Sequence, residues 1–157
     1  MSAAQLYFED VKPGDSVRPL YQYVDQAMCV EWGYVSNNTD VGHWHIWGNR
    51  HKQSADSKAP VTRRDQDPTL HGQFKTALIE KLLMDWGGPK SWVTKLDIKY
   101  KVWDHPFELK TLTGKVVGKR EEAGECLVDV EVFLANEEGN PTTTGTATVS
   151  LPVRARK

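Results

Sequence analysis

The apolar positions of the chain change period once, and that change predicts its architecture. Over residues 71–86, Phe74, Ala77, Leu78, Leu82 and Trp86 recur at three- and four-residue steps, the spacing of one helical face. Gly87-Gly88-Pro89 follows, with a glycine expected to supply a left-handed cap and the proline to forbid continuation. Beyond it the period becomes two. Trp92, Thr94, Leu96, Ile98, Tyr100 and Val102 form a mainly apolar set opposite Lys95, Asp97, Lys99 and Lys101, which predicts a strand. Residues 109–119 predict a second strand, ending in the turn Arg120-Glu121-Glu122-Ala123-Gly124. Cys126, Val128, Val130, Val132 and Leu134 alternate with Asp129 and Glu131 in a third. After the hairpin signal Glu137-Glu138-Gly139-Asn140-Pro141, a fourth sets Ala147, Val149 and Leu151 against Thr146, Thr148 and Ser150.

Ahead of the long helix the pattern is less regular. Residues 6–15 read as an arm closed by the turn Lys12-Pro13-Gly14-Asp15. Residues 16–23 predict a short strand, and Asp25 is placed to cap a short helix through Ala27, Met28, Val30 and Trp32. Residues 36–68 sustain neither period and predict a long loop, with one strand near Trp44-His45-Ile46-Trp47. Loops of this length inside a compact domain tend to carry function, and Trp32, Trp44 and Trp47 favour a packed segment. The predicted class is α+β: a long central helix wrapped by a meander of antiparallel strands.

Composition narrows the functional classes. The 157 residues carry 20 basic and 21 acidic side chains, so a general nucleic-acid binder, which needs a basic excess, is disfavoured. No run approaches the ~18 apolar residues of a membrane span, and the first ten residues lack the pattern of a signal peptide. The expectation is one soluble cytoplasmic domain over residues 1–157. Two cysteines, Cys29 and Cys126, are too few for a disulfide framework, and both fall on apolar faces as core residues do. Ser36 and Ser57 lack the glycine-flanked elbow of serine hydrolases.

The order of several short motifs is more telling. The chain opens with Tyr7-Phe8-Glu9-Asp10-Val11-Lys12-Pro13-Gly14-Asp15. The long helix is entered through Leu70-His71-Gly72-Gln73-Phe74, continues with Thr76-Ala77-Leu78, and leaves through Met84-Asp85-Trp86-Gly87-Gly88-Pro89. Leu112-Thr113-Gly114-Lys115-Val116 and Gly145-Thr146-Ala147-Thr148-Val149 mark later strands. In this order they resemble the MaoC-like acyl dehydratases, the family that includes (R)-specific enoyl-CoA hydratases. The resemblance covers the whole chain, most clearly residues 71–151. It implies a single hotdog domain, a long central helix wrapped by a curved antiparallel sheet.

The resemblance also implies a chemistry. The family pairs an aspartate with a histidine five positions later, ahead of the central helix; Asp40 and His45 have that spacing. Adding water to an enoyl thioester needs one group to activate water at C3 and another to deliver a proton to C2. A donor must also hold charge developing on the thioester oxygen. The resemblance gives water and proton to His45 and Asp40, and the oxyanion to the backbone N–H of Gly72, since first-turn helix amides are unpaired and sit at the positive end of the dipole. No metal or redox cofactor is implied.

Other residues of the long loop extend the candidate site. His71 is expected to orient the loop or cap the helix. Trp44 and Trp47 suit a bulky acyl group, or anchor the loop. Arg50, Lys52, Lys58, Arg63 and Arg64 suit coenzyme A phosphates, or form a solvated face. His51 is a rival general base. His43, His45 and His51 lack the carboxylate or cysteine partners that would favour zinc, and His105 reads as a turn residue. The expected partners are an acyl-CoA substrate and a second hotdog subunit, identical or different. Two alternatives stand beside the hydratase: a non-catalytic hotdog subunit shaping an acyl pocket, and a hotdog acyl-CoA thioesterase. The first takes up the absence of asparagine and proline between Asp40 and His45, which the family usually places there.

Overall fold

The computed structural model describes residues 4–38 and 69–154. Its elements are β1 (Ser16–Val24), α1 (Gln26–Val35), α2 (Gly72–Gly87), β2 (Trp92–Tyr100), β3 (Glu108–Glu122), β4 (Glu125–Ala135) and β5 (Pro141–Ser150), after a 3-10 turn at Phe8–Asp10. The strands form one curved antiparallel sheet in the order β1-β3-β4-β5-β2. α2 lies across its inner face and touches every strand. The class is α+β, as the pattern predicts. Among the described residues no helix is long and apolar enough to cross a membrane.

The core lies between α2 and the sheet. Phe74, Leu78, Ile79, Leu82 and Leu83 of the helix bury against Val17, Leu112, Val116, Val130, Val132, Leu134, Ala147 and Val149. The buried stripe is rotated from the predicted one. Ile79 and Leu83 are central, whereas Ala77 and Trp86 sit half-buried at its margin. The rotation also carries Lys75 into the buried face, at 3 % exposure.

The helix ends differ from expectation in detail. Gly88 takes a positive φ of 85° but an extended ψ of −179°, so it caps α2 without being left-handed helical. Its N–H donates to the Met84 carbonyl at 2.9 Å. A Cβ at Gly88 would stand 2.9 Å from the Ala4 carbonyl oxygen and from Gln5 Cα. The amino-terminal arm therefore needs glycine here in order to cross, and Leu6 N–H then reaches the Gly87 carbonyl at 3.1 Å. Asp25 caps α1 as predicted, its Oδ1 accepting from Met28 N–H at 2.9 Å.

In β2 the strand is as predicted and its phase is not. A bulge places Thr94 between the pairs Val93↔Val149 and Lys95↔Thr148. One extra residue reverses the alternation. Val93, Leu96 and Ile98 pack on the core, while Trp92 is 68 % exposed. β3 outlasts the predicted turn, running to Glu122. Arg120 and Glu122 belong to the strand, where Arg120 binds Glu122 at 2.9 Å and also Asp129. The turn is only Ala123 (φ 51°) and Gly124 (φ 85°), two positive-φ residues matching strand twist.

β2 and β5 approach very closely at one point. A Cβ on Gly145 would fall 2.2 Å from the Asp97 carbonyl oxygen and 2.6 Å from Ile98 Cδ1. Backbone cannot yield as a side chain does. Gly145→Ala is expected to force β2 away from β5 and to cost about 1–3 kcal/mol, an overpacking cost. Urea unfolding of the variant measures it, and an unchanged midpoint would contradict this account.

Candidate functional site

The start of α2 is built by its own first bond and by two contacts from elsewhere in the fold. His71 occupies the N-cap position, and its carbonyl accepts the first helical bond, from Lys75 N–H at 3.1 Å. The amides of Gly72, Gln73 and Phe74 precede that bond, so no helical carbonyl is available to them. The Phe74 ring stacks on Trp32 of α1, centroids 5.3 Å apart and planes 25° apart. Leu70 N–H donates to the Asp104 carbonyl at 2.9 Å. His71 is buried, at 1 % exposure, and its side chain does not cap the helix. That corrects the capping expectation. A side chain turned into the core is unavailable to the first-turn amides.

Tyr100, at the end of β2, forms the facing wall. A Cβ on Gly72 would lie 2.7 Å from Tyr100 Cε2, so the ring fits only because Gly72 has no side chain. The Tyr100 hydroxyl lies 2.6 Å from Thr76 Oγ1, one helical turn further on. Between helix and wall opens a cleft of about 350 Å³, lined by Leu70, Gly72 and Lys75 on one side and Tyr100, Val102 and Trp103 on the other. Tyr100 and Trp103 are exposed, at 49 % and 63 %.

Behind the cleft is a buried chain of charges. Lys75 Nζ contacts Asp104 Oδ2 at 3.0 Å and the Val102 carbonyl at 3.2 Å. Lys110 Nζ contacts Asp104 Oδ1 at 3.1 Å and Glu108 Oε2 at 2.7 Å. The four side chains come from α2, the connection between β2 and β3, and β3 itself. Ionised groups persist out of water only when paired in this way.

Of the sequence-predicted site residues, Gly72 and His71 come together at the helix start. Asp40, His45, Trp44, Trp47, Arg50, His51, Arg63 and Arg64 lie outside the described residues, as do His43, Lys52 and Lys58. His105 sits half-buried in the connection between β2 and β3. Sequence reasoning missed Lys75, Tyr100, Asp104, Glu108 and Lys110. Two signals were available for three of them. Lys75 interrupts the apolar helical stripe, and Glu108 and Lys110 share the inward face of β3 with Leu112 and Val116.

No family model matches the sequence, and no curated protein matches it. Solved structures do. An (R)-hydratase from A. caviae involved in PHA biosynthesis is 18 % identical, with 92 % of this chain and 99 % of that chain covered and a TM-score of 0.76. A MaoC-like dehydratase from Rhodospirillum rubrum is 14 % identical over 96 % of this chain and 99 % of its own, with a TM-score of 0.75. The ChsH1-ChsH2 complex from Mycobacterium tuberculosis is 18 % identical over 89 % and 98 %, with a TM-score of 0.74. The fold is the hotdog that these structures share. Its central helix is α2, and Gly72 stands at that helix's amino-terminal end, at the mouth of the cleft.

Two outcomes follow from this geometry. Gly72→Ala forces the Tyr100 ring aside, and should destabilise the hotdog less when Tyr100 is already alanine. A double-mutant cycle in urea should return a coupling of about 1 kcal/mol or more. Additive effects would show that the ring is not what Gly72 accommodates. Cys29 is fully buried; that burial, with Asp25 nearby, pushes its thiol up to about 11. Only roughly one thiol in a thousand is then ionised at pH 8. Alkylation of the folded protein at pH 8 should spare Cys29 and label it after unfolding.

Proposed function

We propose that the chain is a MaoC-like hydratase or dehydratase, a single hotdog domain interconverting an enoyl and a 3-hydroxyacyl thioester of coenzyme A. The observation that carries this is the Gly72 end of α2. Gly72, in the first turn whose amides have no helical carbonyl to pair with, lines a cleft in the fold of known hydratases. In the hydration direction His45 takes a proton from water as the oxygen bonds to C3. The C2–C3 π electrons move toward the thioester carbonyl, whose oxygen gains negative charge. The amide of Gly72 holds that charge, and Asp40 returns a proton to C2 as the carbonyl re-forms. Water is consumed, and the two side chains exchange one proton to reset. Arg50, Arg63 and Arg64 take the coenzyme phosphates, Trp44 and Trp47 the acyl group.

A second reading has its own support. β2 is an edge strand, and Trp92, Tyr100, Val102 and Trp103 expose large apolar surface along it and just beyond. Such an edge suits continuation of the sheet into a second hotdog. One structural neighbour is a complex of two different chains. In this reading the chain is the non-catalytic member of a pair, shaping an acyl pocket.

Assay of the purified chain separates the two. With a short 2-enoyl-CoA, hydration is read as loss of the enoyl thioester absorbance. Asp40→Asn and His45→Ala should each slow it by about 10²–10⁴-fold, with unchanged unfolding midpoints. Wild-type rates in both variants would sink the catalytic pair. Activity appearing only with a co-purified second subunit would favour the non-catalytic reading, and release of free thiol would point to a thioesterase.

A further inference from the structure

Tyr100 is the wall residue to which the hydratase scheme gives no task. Its side chain is half exposed, yet three contacts hold it. The ring lies against Gly72, where a Cβ would stand 2.7 Å from Cε2. The hydroxyl is 2.6 Å from Thr76 Oγ1, one turn along α2. Lys75 Nζ lies 5.1 Å from the ring centroid, within reach of a cation–π contact, and is itself fixed by Asp104 and the Val102 carbonyl. An exposed side chain normally keeps its rotamer freedom in the folded state. This one is tied to α2 at both its ring and its hydroxyl.

The backbone beneath the ring cannot retreat either. Tyr100 pairs with Thr143 of β5, and the next two amides, of Lys101 and Val102, both donate to the Thr142 carbonyl, at 2.9 and 3.2 Å. At Asp97 the same strand already stands as close to Gly145 as backbone allows. The cleft is therefore unequal along its length. Val102 and Trp103, at 57 % and 63 % exposure, flank its open side. Toward Thr76 the clamped Tyr100 ring closes it, and behind it the buried Lys75–Asp104 pair is no surface for an apolar chain. At about 350 Å³ the space is near the lower end of ligand pockets, roughly 300–1,000 Å³.

We propose that Tyr100 determines specificity for acyl length: its clamped ring is a stop that admits a short enoyl group and excludes longer chains. This rests on the hydratase reading of the cleft. A thioester held at Gly72 has two arms. The polar carrier arm keeps its water only on the open side, so the acyl arm points at Tyr100. A ring tied to α2 through Gly72 and Thr76 does not swing away as a lid would, and the chain must end where the ring begins. Removing the ring joins the cleft to the half-buried helix face between Gly72 and Thr76, which gives a longer chain a place to lie. Fit against such a stop is sharp, since one methylene more or less in an apolar pocket changes kcat/KM by about tenfold or more.

Two measurements check it: hydration of 2-butenoyl-CoA against 2-octenoyl-CoA, and calorimetric binding of butyryl-CoA against octanoyl-CoA. Wild type should favour the shorter chain by about tenfold or more in both kcat/KM and affinity. Tyr100→Ala should raise the longer-to-shorter ratio by about tenfold or more, whereas Tyr100→Phe, which keeps the ring against Gly72, should hold that ratio within about threefold of wild type. A merely structural role lowers the values for both chains together. An unchanged ratio in Tyr100→Ala, or a wild type that prefers the longer chain, overturns the proposal. Should Tyr100→Ala not fold, Tyr100→Leu decides in its place: a raised ratio supports the stop, and an unchanged one overturns it. Hydration by wild type with an unchanged ratio in the variant overturns the proposal alone. Length-selective binding that the variant relieves, without any hydration, overturns the hydratase reading and supports the stop. Binding of neither chain overturns both.

Discussion

A single carboxylate fastens three parts of this fold to one another: α2, β3 and the connection between β2 and β3. Asp104 presents one oxygen to Lys75 of α2 and the other to Lys110 of β3, at 3.0 and 3.1 Å, while its carbonyl accepts from Leu70 ahead of the helix. Its own segment must cross from β2, at one edge of the sheet, past β5 and β4 to reach β3. That is three strand spacings, roughly 14 Å. Apolar packing would hold such a crossing in the core without fixing its direction. Backbone bonds anchor its two ends, Lys101 N–H to the Thr142 carbonyl and Phe107 N–H to the Val24 carbonyl. The paired charges fix its middle, because an ammonium or carboxylate left alone inside the protein typically costs about 3–5 kcal/mol. Specificity of arrangement, more than net stability, is what a buried ionic chain supplies.

The cleft depends on that arrangement. With the connection tied to the helix start, Tyr100 through Trp103 become a wall facing Gly72, and the Tyr100 ring closes to a distance that only glycine tolerates. Gly72 therefore serves two ends in one residue. It leaves space for an aromatic wall, and it stands in the first turn, at the positive end of a 16-residue helix. The cleft ends up with the buried Lys75–Asp104 pair behind it and exposed aromatic sides. The Trp32–Phe74 stack adds a second constraint, docking α1 onto the first turn of α2.

The same geometry shows where amino-acid pattern was legible and where it was not. Helix α2, the strands and their turns are visible because burial on one face imposes a period, 3.6 or 2, on the residues that share it. The bulge at Thr94 was not visible, since an extra residue changes the face of every later side chain without changing composition. Residues 92–100 look like one alternating run, yet Trp92 and Ile98 end on opposite sides. Cap details were also hidden. Asp25 caps α1 through a local bond across three residues, which a motif can announce, whereas Gly88 is needed for a crossing by Ala4 and Gln5 that no local pattern contains.

For the candidate site, the amino-acid order by itself determined the helix start: His71-Gly72 ahead of an amphipathic stretch, on a chain whose later strands alternate. It also set Asp40 and His45 at their spacing, by a resemblance rather than by geometry. Only the tertiary structure decided which residues line the cleft beside Gly72 and which pair behind it. Lys75, Tyr100, Asp104 and Lys110 span 36 positions of sequence, and each has a plausible surface role when read alone. Their pairing is a property of strand order. β2 and β3 are neighbours in the chain and lie apart in the sheet, so the segment between them is drawn across the end of α2. Periodicity records which face of an element is buried. What that face meets is set by topology, and topology brings the charges together.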